Sequence, residues 1–216
     1  MLLIGERYIH LCILGEMIKE YFLNYEAFNN DFTINLGKMH NMVFNSSHDE
    51  SDWIVTLHNT GENTQTGARI KRVEQYIDGD IFLATYGDGV ANINISNLVE
   101  FHKSHGKIGT ISGVHPPSRF GELGIKDNQV YRFHEKPQVM EGMINGGYFV
   151  FNREFLDYLS HDENCILERE PLNELTRAGQ LMVYAHDDFW QCVDTNRELE
   201  LLNTLWDSGE VPWKVW

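Results

Sequence analysis

Ile81-Phe82-Leu83-Ala84-Thr85-Tyr86-Gly87-Asp88-Gly89 is the stretch on which the reading of this chain turns. Residues 81–85 form a continuous apolar run, the pattern of a strand covered on both faces in a parallel sheet, and the run stops abruptly at Tyr86. In open α/β sheets, ligands bind beyond the carboxyl ends of the strands. Glycines on either side of an aspartate let a ligand approach the backbone closely. Asp88 has the chemistry to hold Mg2+, a hard cation bound through one or two carboxylates together with substrate phosphates. The same tetrapeptide also suits a plain turn, which Gly and Asp both favour.

Helices and strands alternate on either side of this point. Upstream, residues 9–14 read as a buried strand, and Gly15 leads into a helix with Met17, Ile18, Tyr21 and Phe22 on one stripe. Phe32, Ile34 and Leu36 alternate as in a half-buried strand, residues 54–57 make another, and residues 45–52 read as a polar loop between them. The turn-rich HNTGENTQTG (58–67) precedes a helix carrying Ile70, Val73 and Ile77. Downstream, residues 97–105, 153–159, 171–179 and 195–209 read as helices, and residues 108–114 and 181–186 as strands. The pattern predicts an α/β domain with a mainly parallel sheet. A single domain over residues 1–216 is expected, ending in a helical, Trp-rich extension over about 196–216.

Composition narrows the function. The 216 residues carry 42% hydrophobic side chains, enough for a substantial core, and a formal net charge of −15. That charge argues against nucleic acid and an anionic membrane surface, both of which call for Lys and Arg. A small anionic substrate remains compatible, because salt screens charge over roughly 8 Å and lets local cations dominate. Cys12, Cys165 and Cys192 are widely spaced, without a metal-ligand rhythm, and suit reduced, buried thiols in the cytoplasm. The opening 15 residues have neither the basic start of a signal peptide nor the length to span a bilayer.

Several other residues offer chemistry, each against a plainer alternative. Asp194 in FWQCVDT is a second carboxylate or a helix N-terminal residue, since Asp and Thr cap helices. Lys136 in HEKP, with Arg132 and Arg119, is a compact cation for a sugar phosphate or a solvated lysine. Asn145-Gly146-Gly147 presents an amide to sugar hydroxyls or forms a turn. Arg69, Lys71 and Arg72 face a triphosphate at a helix start or form a solvated basic face. His102 and His105 are a weak metal pair and read as surface residues; Trp206, Trp213 and Trp216 read as core or interface packing.

Taken in order, TGARIKR, TYGDGVANI, HPPSRFGELGI, HEKP, MINGGYFVFN, FWQCVDT and the ending LWDSGEVPWKVW resemble the glucose-1-phosphate cytidylyltransferases among the sugar-1-phosphate nucleotidylyltransferases. The resemblance runs from about Gly15 to the last residue. It implies a Rossmann-like sheet of the nucleotide-diphospho-sugar transferase type. It also implies a reaction of CTP with glucose 1-phosphate giving CDP-glucose and pyrophosphate, for dideoxysugar and O-antigen synthesis. By position, Asp88 and Asp194 match the carboxylates for Mg2+, Lys136 the sugar-phosphate lysine, Asn145 the sugar contact and Arg69 a nucleotide-side arginine. Gly87, Glu135 and Gly146 adjoin them in the substrate site.

The family opens with a strand, a Gly-rich loop carrying a Thr-Arg pair, a helix with a lysine and a second strand. Such a unit takes at least about 30 residues, whereas about 15 precede the matching region. The expectation is a domain without that loop, with impaired turnover and an exposed sheet edge that favours a homo-oligomer. A non-catalytic remnant or partner subunit that binds a sugar phosphate, and a related transferase for another nucleotide or sugar, are the alternatives.

Overall fold

The computed structural model describes residues 2–4, 7–11, 15–37, 42–45, 50, 52–116, 122–126, 129–134 and 142–215. The chain forms two compact units, one from residues 1–79 and 156–171, the other from residues 80–155 and 172–216.

In the first unit β1 (Leu2–Ile4) and β2 (Arg7–Leu11) pair antiparallel. Helices α1 (Gly15–Leu23) and α2 (Tyr25–Asn29) follow, then a hairpin of β3 (Phe32–Ile34) and β4 (Met42–Phe44). β5 (Val55–Asn59) lies parallel to β2. The apolar stripe expected on α1 is only partly covered: Met17 is 64% exposed, and Tyr21 stacks locally on Phe28 at 5.9 Å. β4 escaped the sequence reading, as three residues carry no usable period.

α3 (Thr66–Arg72) buries Gly67, Ala68 and Ile70; of the expected stripe, Val73 and Ile77 are buried too but lie beyond the helix, which ends at Arg72. Its first turn is strapped to the segment around Cys165. Thr66 Oγ1 donates to Glu168 Oε2 at 2.7 Å and accepts from Leu167 N at 3.0 Å. Gly67 is required there, because a Cβ would stand 2.8 Å from Cys165 Sγ and 3.0 Å from its carbonyl oxygen.

The second unit contains β6 (Ile81–Thr85), β7 (Gly89–Ala91), α4 (Ile95–His105), β8 (Gly109–Val114), the hairpin β9 (Glu122–Lys126) and β10 (Gln129–His134), and β11 (Ile144–Asn152). α5 (Glu170–Arg177), β12 (Leu181–His186), β13 (Trp190–Cys192) and α6 (Asn196–Ser208) complete the chain. The strands run in the order β12-β8-β11-β6. β12 and β8 are parallel, and β11 is antiparallel to both β8 and β6. Three of the four strands thus share a direction, as expected, but Ile81–Thr85 is flanked by the antiparallel β11. The sheet is mixed. An apolar run reports burial on both faces, not the direction of the neighbour. Residues 153–159, read as a helix, form a 3-10 helix over Arg153–Tyr158.

α4 carries a polar circuit that the sequence did not reveal. Lys107 N donates to His105 Nδ1 at 2.9 Å, and His105 Nε2 meets Thr110 Oγ1 at 2.8 Å. Thr110 Oγ1 lies 2.9 Å from His102 Nδ1, His102 Nε2 lies 3.0 Å from Asn152 Oδ1, and Asn152 Nδ2 returns to Lys107 O at 3.2 Å. Neutral rings satisfy all five bonds. His102, expected at the surface, is 2% exposed, because Thr110 on β8 and Asn152 on β11, the latter 50 residues away in sequence, cover its ring and bond both of its nitrogens.

Burial holds the His102 pKa below its ordinary 6.5, outweighing the bond to Asn152, and the charge of Lys103 adds to the lowering. His105 is lowered likewise, by burial first and then by His102 and Lys107. The unfolded chain therefore binds more protons below pH about 6.5, so the contribution is intact above that pH and lost as pH falls through the folded values. The urea midpoint is expected to fall between about pH 7.5 and about pH 5.5, and to fall less in His102→Gln/His105→Gln. An equal fall in both proteins would show that the circuit does not sense acid.

Candidate active site

The turn after β6 and the segment after β13 come together through one short ladder. β13 pairs antiparallel with β7, with Cys192 opposite Gly89 and Trp190 opposite Ala91. One step further, Val193 N donates to Asp88 O at 2.8 Å. The ladder brings Asp88 and Asp194 to the wall of the same cavity of about 770 Å³. Thr85, Tyr86, Gly146, Trp190, Cys192 and Glu198 also line it.

Gly146 and Gly147 form a bulge inside β11, not a turn: the pairing with β8 shifts register between Asn145 and Phe149. Trp190 Nε1 donates to Gly146 O at 2.8 Å, fixing the indole against the cavity wall. Asn145 turns its amide to the scaffold. Its Oδ1 accepts from Gly147 N at 2.8 Å and its Nδ2 donates to Tyr86 OH at 3.2 Å. Gly147 has φ +81°, and a Cβ there would stand 2.7 Å from Tyr86 Cδ2.

Gly147→Ala is therefore expected to cost more than the roughly 1–3 kcal/mol of backbone strain alone. Gly106→Ala is the control, since Gly106 also has positive φ (+63°) but nothing lies within 4 Å of its Cβ position. Urea unfolding of the two variants measures the difference, and equal losses would remove the Tyr86 contact from the account.

Asp194 precedes α6, which opens with a capping box: Thr195 Oγ1 accepts from Glu198 N, and the Glu198 carboxylate reaches back to the Thr195 amide. Thr195 is the cap of α6, and Asp194, one residue before it, lies on the cavity wall. Cys192 Sγ donates to Asp194 Oδ2 at 3.4 Å. The thiol pKa is pushed up to about 11, by burial first and then by the bond to Asp194 and the charges of Asp194 and Glu198. A protonated thiol is a poor metal ligand. The carboxylate oxygens around it are hard donors, so the set suits a hard divalent cation.

Of the residues singled out from sequence, Asp88, Asp194 and Gly146 line this cavity. Asn145 and Gly87 adjoin it in the chain. Arg69 belongs to the other unit, where its guanidinium donates to Thr60 Oγ1 at 2.6 Å and Glu62 O at 3.2 Å. Glu135 and Lys136 lie outside the described residues. Sequence reasoning missed Arg197, Glu198, Cys192 and Trp190 on the cavity wall; the T-x-x-E pattern of residues 195–198 was the available signal for Glu198. Of the tryptophans near the C-terminus, Trp206 is 54% exposed and Trp213 stacks on Phe189 at 5.5 Å, while Trp216 lies outside the described residues.

The family described as nucleotidyl transferase matches residues 13–204. The glucose-1-phosphate cytidylyltransferase of Salmonella typhimurium is 43% identical over 203 residues, covering 94% of this chain and 78% of that protein. The probable glucose-1-phosphate cytidylyltransferase of Bacillus subtilis is 40% identical over 202 residues, with the same coverage of 94% and 78%. Among solved structures, HddC from Yersinia pseudotuberculosis superposes with a TM-score of 0.59 at 18% identity, over 90% of this chain and 75% of its own. That likeness concerns the fold.

Proposed function

The chain belongs to the nucleotidyl transferase family, and on that footing we propose that it transfers CMP from CTP to glucose 1-phosphate, giving CDP-glucose and pyrophosphate. The observation that carries the reading is the β7–β13 ladder, which sets Asp88 and Asp194 on one cavity wall. The names of the Salmonella and Bacillus relatives support the choice of nucleotide and sugar.

A phosphate oxygen of glucose 1-phosphate attacks the α-phosphorus of CTP in line, and the bond to the β-phosphoryl oxygen breaks as pyrophosphate leaves. Asp88 and Asp194 would hold Mg2+, whose charge offsets that of the reacting phosphates. Arg197, on the same wall, adds a cation. Trp190 and Tyr86 offer flat apolar faces of the kind that sugars and bases stack on. Asn145 acts through its bonds to Gly147 and Tyr86, holding the bulge that shapes this wall. Lys136 is the proposed phosphate contact on the sugar side.

We place the reaction in the cytoplasm; among the described residues no helix is long and apolar enough to cross a membrane. Assembly into a homo-oligomer would cover apolar side chains such as Leu23 and Leu36, 84% and 81% exposed, and sedimentation velocity tests it.

The direct test is pyrophosphate release in Mg2+ from each of CTP, UTP, GTP and dTTP with glucose 1-phosphate or mannose 1-phosphate. The highest kcat/KM is expected for CTP with glucose 1-phosphate. A different best pair would reassign the substrates, and no release from any pair would overturn the transferase reading for this chain.

A further inference from the structure

We propose that Glu198 is a positioning residue for Asp194, gripping its backbone so that its carboxylate is held ready for the cation; this rests on the reading of Asp194 as a metal-holding residue. In a capping box the acidic side chain returns to the amide of the cap residue. Here Glu198 Oε2 accepts from Thr195 N at 2.8 Å and Thr195 Oγ1 at 3.0 Å, and also from Asp194 N at 2.8 Å, one residue beyond the cap. The extra bond falls on the residue that the ladder delivers to the cavity.

Asp194 lies between β13 and α6 and has no regular structure of its own. Its position is fixed on two sides, at the amide by Glu198 and at the carboxylate by the Cys192 thiol. Ligand-bearing atoms of Cys192, Asp194 and Glu198 lie within 4.8 Å of one another, so the carboxylate that grips the Asp194 amide and the carboxylate it would position belong to one compact cluster. Outer partners that orient a metal ligand typically govern its affinity by about 10- to 100-fold when removed.

The test is Mn2+ binding to the full chain, read as free Mn2+ by electron paramagnetic resonance, together with the metal dependence of pyrophosphate release. Glu198→Ala is expected to raise the Mn2+ dissociation constant by about 10-fold or more. Glu198→Gln, whose carboxamide oxygen accepts from the same amides, is expected to stay within about 3-fold of the parent. Gly209→Ala loosens the other end of α6 by straining its left-handed C-cap (φ +77°), and is expected to lower the melting temperature without moving the Mn2+ midpoint.

Equal weakening in Glu198→Ala and Glu198→Gln would overturn positioning in favour of a role for the charge itself. An unchanged midpoint in Glu198→Ala, with Asp194→Asn weakened, would leave Glu198 a helix cap and overturn the inference alone. An unchanged midpoint in Asp194→Asn would overturn the metal reading and the inference with it.

Discussion

Asp88→Asn is expected to lower the rate of pyrophosphate release by on the order of 100- to 1,000-fold while leaving the melting temperature near that of the parent chain. The substitution keeps size and shape and removes charge. What Asp88 gives the fold is its main-chain carbonyl, which accepts from Val193 N at 2.8 Å, and asparagine keeps that bond. What it gives the proposed reaction is a hard anionic oxygen for the cation, and a carboxamide is a far weaker ligand for Mg2+. Asp194→Asn is expected to lose a similar factor. The double variant is expected to lose little more than either single one, since both carboxylates would act through one ion and such losses do not add. Steady-state pyrophosphate release over a Mg2+ titration checks this. Parent-like turnover of Asp88→Asn at low Mg2+ would remove the carboxylate from the mechanism.

The end of the buried run was the most legible point of the sequence: β6 stops at Thr85, where Tyr86-Gly87-Asp88-Gly89 begins. An apolar run closed by glycines is a local signal, and local signals survive without knowledge of the partners. Convergence of Asp88 with Asp194 came from the resemblance instead, because it depends on β7 and β13, strands of three residues each. Alternation over three positions carries no period, so nothing in either segment announces that the two will pair.

Side-chain commitments were harder still to read. The string Asn145-Gly146-Gly147 is compatible with a turn or a sugar contact, and the structure makes it a bulge whose asparagine holds Tyr86 and Gly147. That outcome follows from the register of β11 against β8, a long-range property. His102 and His105 show the same limit: their i,i+3 spacing is as common on a solvated face as on a buried one. Burial was decided by Thr110 and Asn152, which supply the hydrogen bonds that make it affordable. The capping pattern at residues 195–198 was visible, but its reach to the Asp194 amide is a matter of geometry.

The largest expected loss of stability comes from Phe151→Ala, at about 3–5 kcal/mol. Phe151 is 0% exposed in the second unit, and its ring stacks on Phe155 with centroids 3.9 Å apart, with Phe149 and Phe82 each at 5.6 Å. The upper part of the range is expected, because the neighbouring wall cannot close over the gap. Gly109 faces the ring, and a Cβ there would stand 3.2 Å from Phe151 carbons and 3.1 Å from Leu181 Cδ1. Gly109 therefore makes room for Phe151, and once the ring is gone it has no side chain to offer. In the parent chain Gly109→Ala is expected to destabilise by crowding the ring. In the Phe151→Ala background the same change fills part of the void, so Gly109→Ala/Phe151→Ala should be more stable than Phe151→Ala alone. Urea midpoints of the four proteins close the double-mutant cycle. A double variant no more stable than Phe151→Ala would show that the void collapses by some other movement, and the loss for Phe151→Ala would then fall toward the lower end of the range.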